Sequence, residues 1–333
     1  MRWSIRHIFN FPREKLWGSG YAQFGFHDNQ GNQYMLQWSE HWLGHLAPDD
    51  RFLWTAGSVD KGLSALHIAI DVVYPHYISN APDNSLLLSS NGNNRIYKIY
   101  PAEKSAELFI DTGKLGLRDI GNCFYDTQGI LWVHKIRGCK VWQFNEEGKP
   151  IRSLGDGTPG FQKEAVSFDE VRFNWIYDMR LGPDGNIYIL DSKNFVVRMV
   201  DPFKERVATV IGTGQSGPAA DDVDALETTL GSHPAEYFDG PWSLAIDEVG
   251  NIFIGDTYNH VVRMVRKANN RIHTIAGNAE IQHNERNHPQ ETDPLSRADV
   301  KSQSVSRSPG YETSGSPKNS LTIAGGWYPL RKL

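Results

Sequence analysis

A gapless internal repeat restricts the folds open to this chain more than any other feature of its sequence. Residues 185–200 align on residues 250–265 without an insertion, and 11 of the 16 pairs are identical. A repeat of this kind predicts an architecture in which each copy is one supersecondary unit that buries its apolar surface against the next copy.

The residue types within each copy predict short β-strands. The apolar positions are β-branched or aromatic, as in Ile187–Ile189, and the phrase Asp191–Asn194 between them carries the short polar side chains that close tight turns. Each copy therefore contains two strands. A third apolar stretch precedes each copy and a fourth follows it, as at residues 175–181 and 206–212. Four short strands per repeating unit predict the blade of a β-propeller.

Weaker copies extend this pattern toward the N-terminus. The turn positions Gly31, Asn84, Gly129, Gly185 and Gly250 are separated by 53, 45, 56 and 65 residues, which are lengths suited to one blade each. The last interval is lengthened by residues 214–239, which we interpret as an inserted loop over one face.

The repeat resembles that of a known family. The phrase at residues 241–263, with Asp247, Asn251, Asp256 and Arg263 at its characteristic positions, is similar to the NHL repeat. The likeness is strong over residues 171–278, fair over 75–157 and weak over 16–57. It implies an all-β, six-bladed β-propeller of the NHL type. It leaves the function open, because the family and its relatives include protein-binding and RNA-binding platforms, amidating lyases and lactonases.

The expected sixth blade is hard to find in the sequence. We predict an NHL-type propeller of six blades over residues 1–295, with an irregular or incomplete last blade, and a Ser-rich, disordered or atypical tail over residues 296–333. Three explanations remain open for the missing copy. The tail is disordered, a shifted reading frame has replaced the natural end, or the segment from Trp3 to Phe11 supplies most of the closing blade.

Polar residues recur where the inner strands of a propeller surround its central channel. Counting back seven or eight residues from the last four turns, and slightly further in three of these blades, leads to side chains with carboxylate, amide or imidazole groups. Such groups on one axis suit a divalent cation, either calcium or zinc, while the alternative is that they bind water or cap strand ends. The candidate metal ligands are His76, Asn122, Asp178 and Asp239.

Aromatic residues provide a second candidate site. Ten Trp and thirteen Tyr residues are present, and large aromatic side chains dominate the energetics of many interfaces. The alternative is that the Trp side chains pack between blades. The candidate ligand or partner contacts are Asp119, Tyr177, Trp242, Trp38 and Trp42.

The composition restricts the classes of partner and the cellular location that we expect for this protein. The formal net charge of -5 disfavours a whole-surface grip on nucleic acid, although a local basic patch stays open. No run of 18 apolar residues and no secretory apolar core occur in the sequence, so we expect a cytoplasmic protein without membrane contact. Cys123 and Cys139 are too few for a disulfide framework. We expect a monomer.

Two classes of function follow from these observations. The first is a non-catalytic platform that binds a protein or small-molecule ligand at one mouth of the channel. The alternative is a divalent-metal-dependent lyase or lactonase-like hydrolase with its site on the axis, in which the cation would polarise a substrate oxygen. An RNA-binding platform is a third and weaker hypothesis, motivated by the family and by the basic residues Arg263, Arg266 and Lys267.

Overall fold

The structure, a computed structural model, describes residues 22–231 and 240–277 apart from the single positions 39, 48, 50, 59, 61 and 63. The regular elements in this part of the chain are β-strands and short 3-10 turns. No helix of the described part has the length and apolar character needed to cross a membrane.

The strands form five sheets that follow one another along the chain. Blade 1 contains β1 (Ala22–His27), β2 (Gln33–Gln37), β3 (Trp42–Leu46), β4 (Phe52–Gly57) and β5 (His67–Ala69). Blade 2 contains β6 (Pro75–Asn80), β7 (Leu86–Ser90), β8 (Arg95–Tyr100) and β9 (Ser105–Asp111). Blade 3 contains β10 (Ile120–Tyr125), β11 (Leu131–Lys135), β12 (Val141–Phe144) and β13 (Pro150–Leu154).

The two strongest copies of the repeat form the last two blades. Blade 4 contains β14 (Val166–Ser167), β15 (Ile176–Leu181), β16 (Ile187–Asp191), β17 (Val196–Asp201) and β18 (Arg206–Ile211). Blade 5 contains β19 (Val223–Asp224), β20 (Ser243–Ile246), β21 (Ile252–Asp256), β22 (Val261–Arg266) and β23 (Arg271–Gly277). In every blade the four main strands are antiparallel neighbours, and the first of them is the inner strand.

The repeated Asp and Asn residues close the hairpins, as the sequence predicts. The Asn194 amide donates to Asp191 Oδ2 at 2.8 Å, and the Asn259 amide donates to Asp256 Oδ2 at 3.0 Å. Burial raises the pKa of the Asp191 carboxyl to about 7. The repeated Arg side chain is also buried along the blade, where Arg198 Nη1 donates to Thr209 Oγ1 at 2.9 Å. These residues therefore serve the fold.

Apolar layers between successive blades form the core. Leu36 of blade 1 packs in one layer with Ile78 of blade 2, and Leu190 of blade 4 packs in another with Ile254 of blade 5. The successive inner strands β1, β6, β10, β15 and β20 lie side by side. The molecule is an all-β β-propeller whose inner strands surround one axis.

The predicted number of blades differs from the observed one. The described residues form five blades rather than six. The region near residues 290–333, where a sixth blade was predicted, lies outside the described residues, as does the predicted tail over residues 296–333. The sequence pattern loses its period there, so the repeat itself carries no signal for a further blade.

Candidate functional site

One face of the propeller carries the points at which the inner strands begin. The residue just before the inner strand has a left-handed backbone in three successive blades, with φ of 50° at Tyr74, 56° at Asp119 and 61° at Trp175. This conformation is uncommon for residues other than glycine. Its recurrence shows that the repeat sets the same sharp turn at the mouth of the channel in each of these blades.

Asp178 lies at the centre of a hydrogen-bond network on the axis. Its Oδ1 accepts from the Asn122 amide at 2.6 Å and from its neighbour's backbone, Met179 N, at 2.8 Å. Its Oδ2 accepts from Arg180 Nη2 at 2.9 Å and from Leu244 N at 2.8 Å. Four donors from blades 3, 4 and 5 therefore converge on one buried carboxylate.

Arg180 spans the axis from blade 4 to blades 2 and 5. Besides the ion pair with Asp178, its Nη1 donates to the Tyr77 hydroxyl at 2.5 Å and its Nε donates to Leu244 O at 2.8 Å. The guanidinium also lies 4.8 Å from the centre of the Tyr77 ring. Only 18% of the Arg180 side chain is exposed, so this cation and its partners occupy the middle of the channel.

Sequence reasoning missed Arg180, although a signal was present. In the gapless alignment of the two strongest copies, Arg180 falls opposite Ala245. A long cation at a position where the other copy has a small apolar residue breaks the repeat, and such a break is typical of a position with a special role.

Asn122 extends the network into the second strand of blade 3. Its Oδ1 lies 3.0 Å from His134 Nε2, and the other ring nitrogen of His134 lies 3.1 Å from Lys135 O. Burial lowers the pKa of His134 to about 3, so the imidazole is neutral and donates to one of these two oxygens. Gly121 makes room for the ring, because a Cβ at this position would approach His134 Nε2 to 2.4 Å.

His76 lies beside this network on the inner strand of blade 2. Burial, together with the guanidinium groups of Arg180 and Arg137, lowers the pKa of His76 to about 4. Part of the imidazole is nevertheless exposed, while Nδ1 is buried and has no hydrogen-bond partner among the described residues. A ring that is deep in the molecule and yet partly exposed lines an internal space, here the channel.

The predicted metal ligands come together only in part. Asn122 and Asp178 are in direct contact and His76 is close to their network, but Asp239 lies outside the described residues. Both carboxylate oxygens of Asp178 are occupied by donors, one of them a guanidinium. In the described part of the chain no three His, Cys, Asp or Glu side chains are grouped so that they could hold a metal ion. The four-residue metal site stays a prediction.

Tyr177 and Trp242 form the core of an aromatic group at the mouth. Their rings are stacked with centroids 5.3 Å apart and an interplanar angle of 12°, and the Tyr258 ring meets Trp242 edge-on at 5.9 Å. Tyr177 is buried, whereas Trp242 and Tyr258 are partly exposed. On the same face, Lys193 Nζ lies 5.0 Å from the centre of the Trp175 ring. The contact role of Tyr177 and Trp242 stays a prediction.

The remaining contact candidates are separated from this group. Asp119 is exposed and forms an ion pair with Lys135 at 3.6 Å. Trp38 is partly exposed and stacks on Tyr74 with centroids 4.4 Å apart. Trp42 requires a correction, because only 4% of it is exposed and it packs edge-on against Phe52 at 5.4 Å. Its burial leaves almost no surface for a partner.

Comparison with known proteins supports the fold. No family model matches the chain. Protein SUPPRESSOR OF QUENCHING 1, chloroplastic, of Arabidopsis thaliana is 33% identical over 121 residues, which make up 34% of this chain and 10% of that protein. The chain therefore spans about a tenth of the length of the curated relative that it matches.

Solved structures with low sequence identity share the propeller architecture. An auxiliary nutrient binding protein from Bacteroides thetaiotaomicron superposes with a TM-score of 0.52 and 13% identity, over 77% of this chain and 57% of that chain. Virginiamycin B lyase from Staphylococcus aureus superposes with a TM-score of 0.48 and 10% identity, over 75% of this chain and 68% of that chain. At such identities the likeness concerns the fold alone.

Proposed function

We propose that this protein is a binding platform that holds a protein or small-molecule ligand at the mouth where its inner strands begin. The observation that carries the proposal is the aromatic group of Tyr177, Trp242 and Tyr258 at that mouth. Stacked and edge-on rings are rigid and lose little side-chain entropy on binding, which is why Trp and Tyr are enriched among interface hot spots.

The axial network supports binding at one mouth. Arg180 bonds to residues of blades 2, 4 and 5 and so ties these blades together beside their inner strands. A ligand at the aromatic mouth would meet this polar network. A metal-dependent enzyme is less favoured, because both Asp178 oxygens that would bind the cation accept hydrogen bonds within the network.

Trp242→Ala should weaken ligand binding by at least about 30-fold, the loss typical of an interface hot spot. The measurement uses the full chain with a photoreactive phenylalanine analogue in place of Tyr258. After illumination, mass spectrometry detects covalent adducts between the protein and its bound ligand. We expect a discrete adduct that disappears when Trp242→Ala is added. The matched control carries the same analogue at Phe203, which is 66% exposed on the opposite face. Equal adducts from both positions would contradict a binding site at the aromatic mouth.

We also propose that the propeller is of the NHL type and is closed by a sixth blade. The segment from Trp3 to Phe11, which lies outside the described residues, is one candidate for that blade. The support lies in the outward faces of the two end blades. In blade 1 a buried cluster that includes Met35 and Leu46 lies on the face that points away from blade 2. In blade 5 Phe253 and Met264 lie on the face that points away from blade 4. Apolar faces of this kind are buried against another layer in stable β proteins.

Trp3→Ala combined with Phe9→Ala should expose these outward faces. We expect Met35 and Met264, which are 2% exposed, to be oxidised by hydrogen peroxide at least about tenfold faster than in the unsubstituted chain, because a methionine reacts when it reaches solvent. Met179 is fully buried between blades 3 and 4 and serves as the internal control for global unfolding. Unchanged oxidation of Met35 and Met264 would rule out this closure.

A further inference from the structure

The outer edges of the blades differ in a way that the repeat does not predict. In blades 4 and 5 the outermost strand is flanked by a short added strand, where β14 pairs with β18 and β19 pairs with β23. Within the described residues, the sheet of blade 2 ends at β9 and the sheet of blade 3 ends at β13. The backbone groups on the outer side of such an end strand are available to another chain.

The added strands cover apolar residues of the edges that they flank. Val207 on β18 pairs with Val166, and Ile272 on β23 pairs with Val223. Both Val207 and Ile272 are fully buried. The molecule thus shows at two edges that a short antiparallel segment fits the outer side of a blade.

The lengths and pairings of the connections explain why blades 2 and 3 have no added strand from the part of the chain that the structure describes. The strands β14 and β19 come from the long connections at residues 155–175 and 212–242. The connection that precedes blade 3 is only residues 112–119, and the connection that precedes blade 2 supplies β5, which pairs in parallel with β4 of blade 1. The chain that joins neighbouring blades therefore has no segment left for these two edges.

Of the two bare edges, β9 is the better acceptor. It is seven residues long and contains no proline, whereas β13 begins with Pro150, which cannot donate a backbone hydrogen bond. Leu108 on β9 is 47% exposed. Ala106, which pairs with Ile99 as Val207 pairs with Val200, is only partly buried.

The charge of the edge indicates the chemistry of the partner. In blade 5 the edge and its added segment are complementary, because Arg271 Nε donates to Asp222 Oδ1 at 2.7 Å just before β19. Near β9 the corresponding region carries exposed Glu103 and Lys104 in the turn before the strand and exposed Glu107 on the strand itself. The Glu107 carboxylate accepts from the Tyr100 hydroxyl at 2.6 Å and is held on the surface of the edge.

We propose that β9 is a docking edge for an extended segment of a partner protein in which basic residues alternate with β-branched apolar ones. The segment would pair antiparallel with β9, in the manner of β14 on β18, and would place its basic side chains beside Glu107. Main-chain hydrogen bonds supply affinity in this mode of recognition, and the alternate side chains supply specificity. The proposal concerns the rim of the disc and is independent of the aromatic mouth.

The test compares two synthetic probe peptides with the full chain. One is a capped hexapeptide of alternating Lys and Val, and its control is the same peptide with Glu in place of Lys. Hydrogen exchange followed by mass spectrometry should show the amides of Ser105–Asp111 slowed about fivefold or more by the Lys-Val peptide, because a paired edge exchanges only when it opens. The Glu-Val peptide should have no effect at the same concentration.

Glu107→Lys supplies the decisive variant. Glu107 is exposed, and this substitution should reverse the preference between the two peptides, with circular dichroism checking that the variant keeps its fold. The same reversal of preference should not follow from Trp242→Ala, which separates this proposal from that of the aromatic mouth. Protection of β9 in the free monomer would mean that another part of this chain covers the edge. If the protein self-associates and Glu107→Lys abolishes this association, a second copy of the chain covers the edge. Either result, or no protection by the Lys-Val peptide, would overturn the proposal.

Discussion

Asp178→Ala should lower the free energy of unfolding by about 3–5 kcal/mol, the loss typical of removing one partner from a buried ion pair. The substitution leaves the Arg180 guanidinium in the channel without its counter-ion. It also removes the acceptor of the Asn122 amide and of two backbone N–H groups, those of Met179 and Leu244. Denaturant-induced unfolding followed by far-ultraviolet circular dichroism measures the loss.

Two further variants make this result specific. Adding Arg180→Met to Asp178→Ala should recover part of the lost free energy, because an apolar side chain replaces the unpaired cation. Asp49→Ala removes an exposed ion pair with Arg51 and should leave the free energy of unfolding nearly unchanged. A loss as small as that of Asp49→Ala would contradict the central role of the Asp178 network.

The same proteins test the metal hypothesis. If His76, Asn122, Asp178 and Asp239 hold calcium or zinc, elemental analysis after dialysis should find a stoichiometric ion that Asp178→Ala loses. A stability loss without any change in metal content would assign the carboxylate to the hydrogen-bond network alone.

Protonation of His76 and His134 should lower the free energy of unfolding by about 4 kcal/mol between pH 7.5 and pH 5. Asp191, whose raised pKa of about 7 has the opposite effect over this range, should offset part of that loss. An unfolded histidine has a pKa near 6.5, whereas the folded chain lowers the pKa of His76 to about 4 and that of His134 to about 3. Below pH 6.5 the unfolded chain therefore binds protons that the folded chain does not. The stabilising contribution of the two neutral histidines is complete above pH 6.5 and is lost as the pH falls toward 4.

Urea unfolding at a series of pH values provides the measurement. The double variant His76→Gln with His134→Gln should have a shallower dependence on pH than the unsubstituted chain over this range. Above pH 7.5, where neither imidazole gains a proton in either state, the two proteins should show the same dependence on pH, which serves as the internal control. A double variant with the same slope as the unsubstituted chain would show that other groups govern the acid sensitivity.

Local sequence patterns were sufficient to predict most of the fold. The period, the β-branched strands and the turn residues predicted four-stranded blades and placed Asn122 and Asp178 at equivalent points of neighbouring inner strands, where they are in contact. This succeeded because hairpins are built from residues close in sequence and because each blade repeats the geometry of the last. The sixth blade could not be predicted in the same way, because the period is lost in the sequence after residue 278.

The tertiary structure decided what the polar positions do. Whether Asp178 binds a metal ion or a guanidinium depends on Arg180. The contacts of Arg180 reach Tyr77, 103 residues away in the chain, and Leu244, 64 residues away. It likewise decided that Trp42 is buried against Phe52 and that no strand of the described residues flanks the outer side of β9. Sequence periodicity reports which residues share a face of a strand. It carries no information on which distant side chains meet at the axis, because that depends on how the blades close around one another.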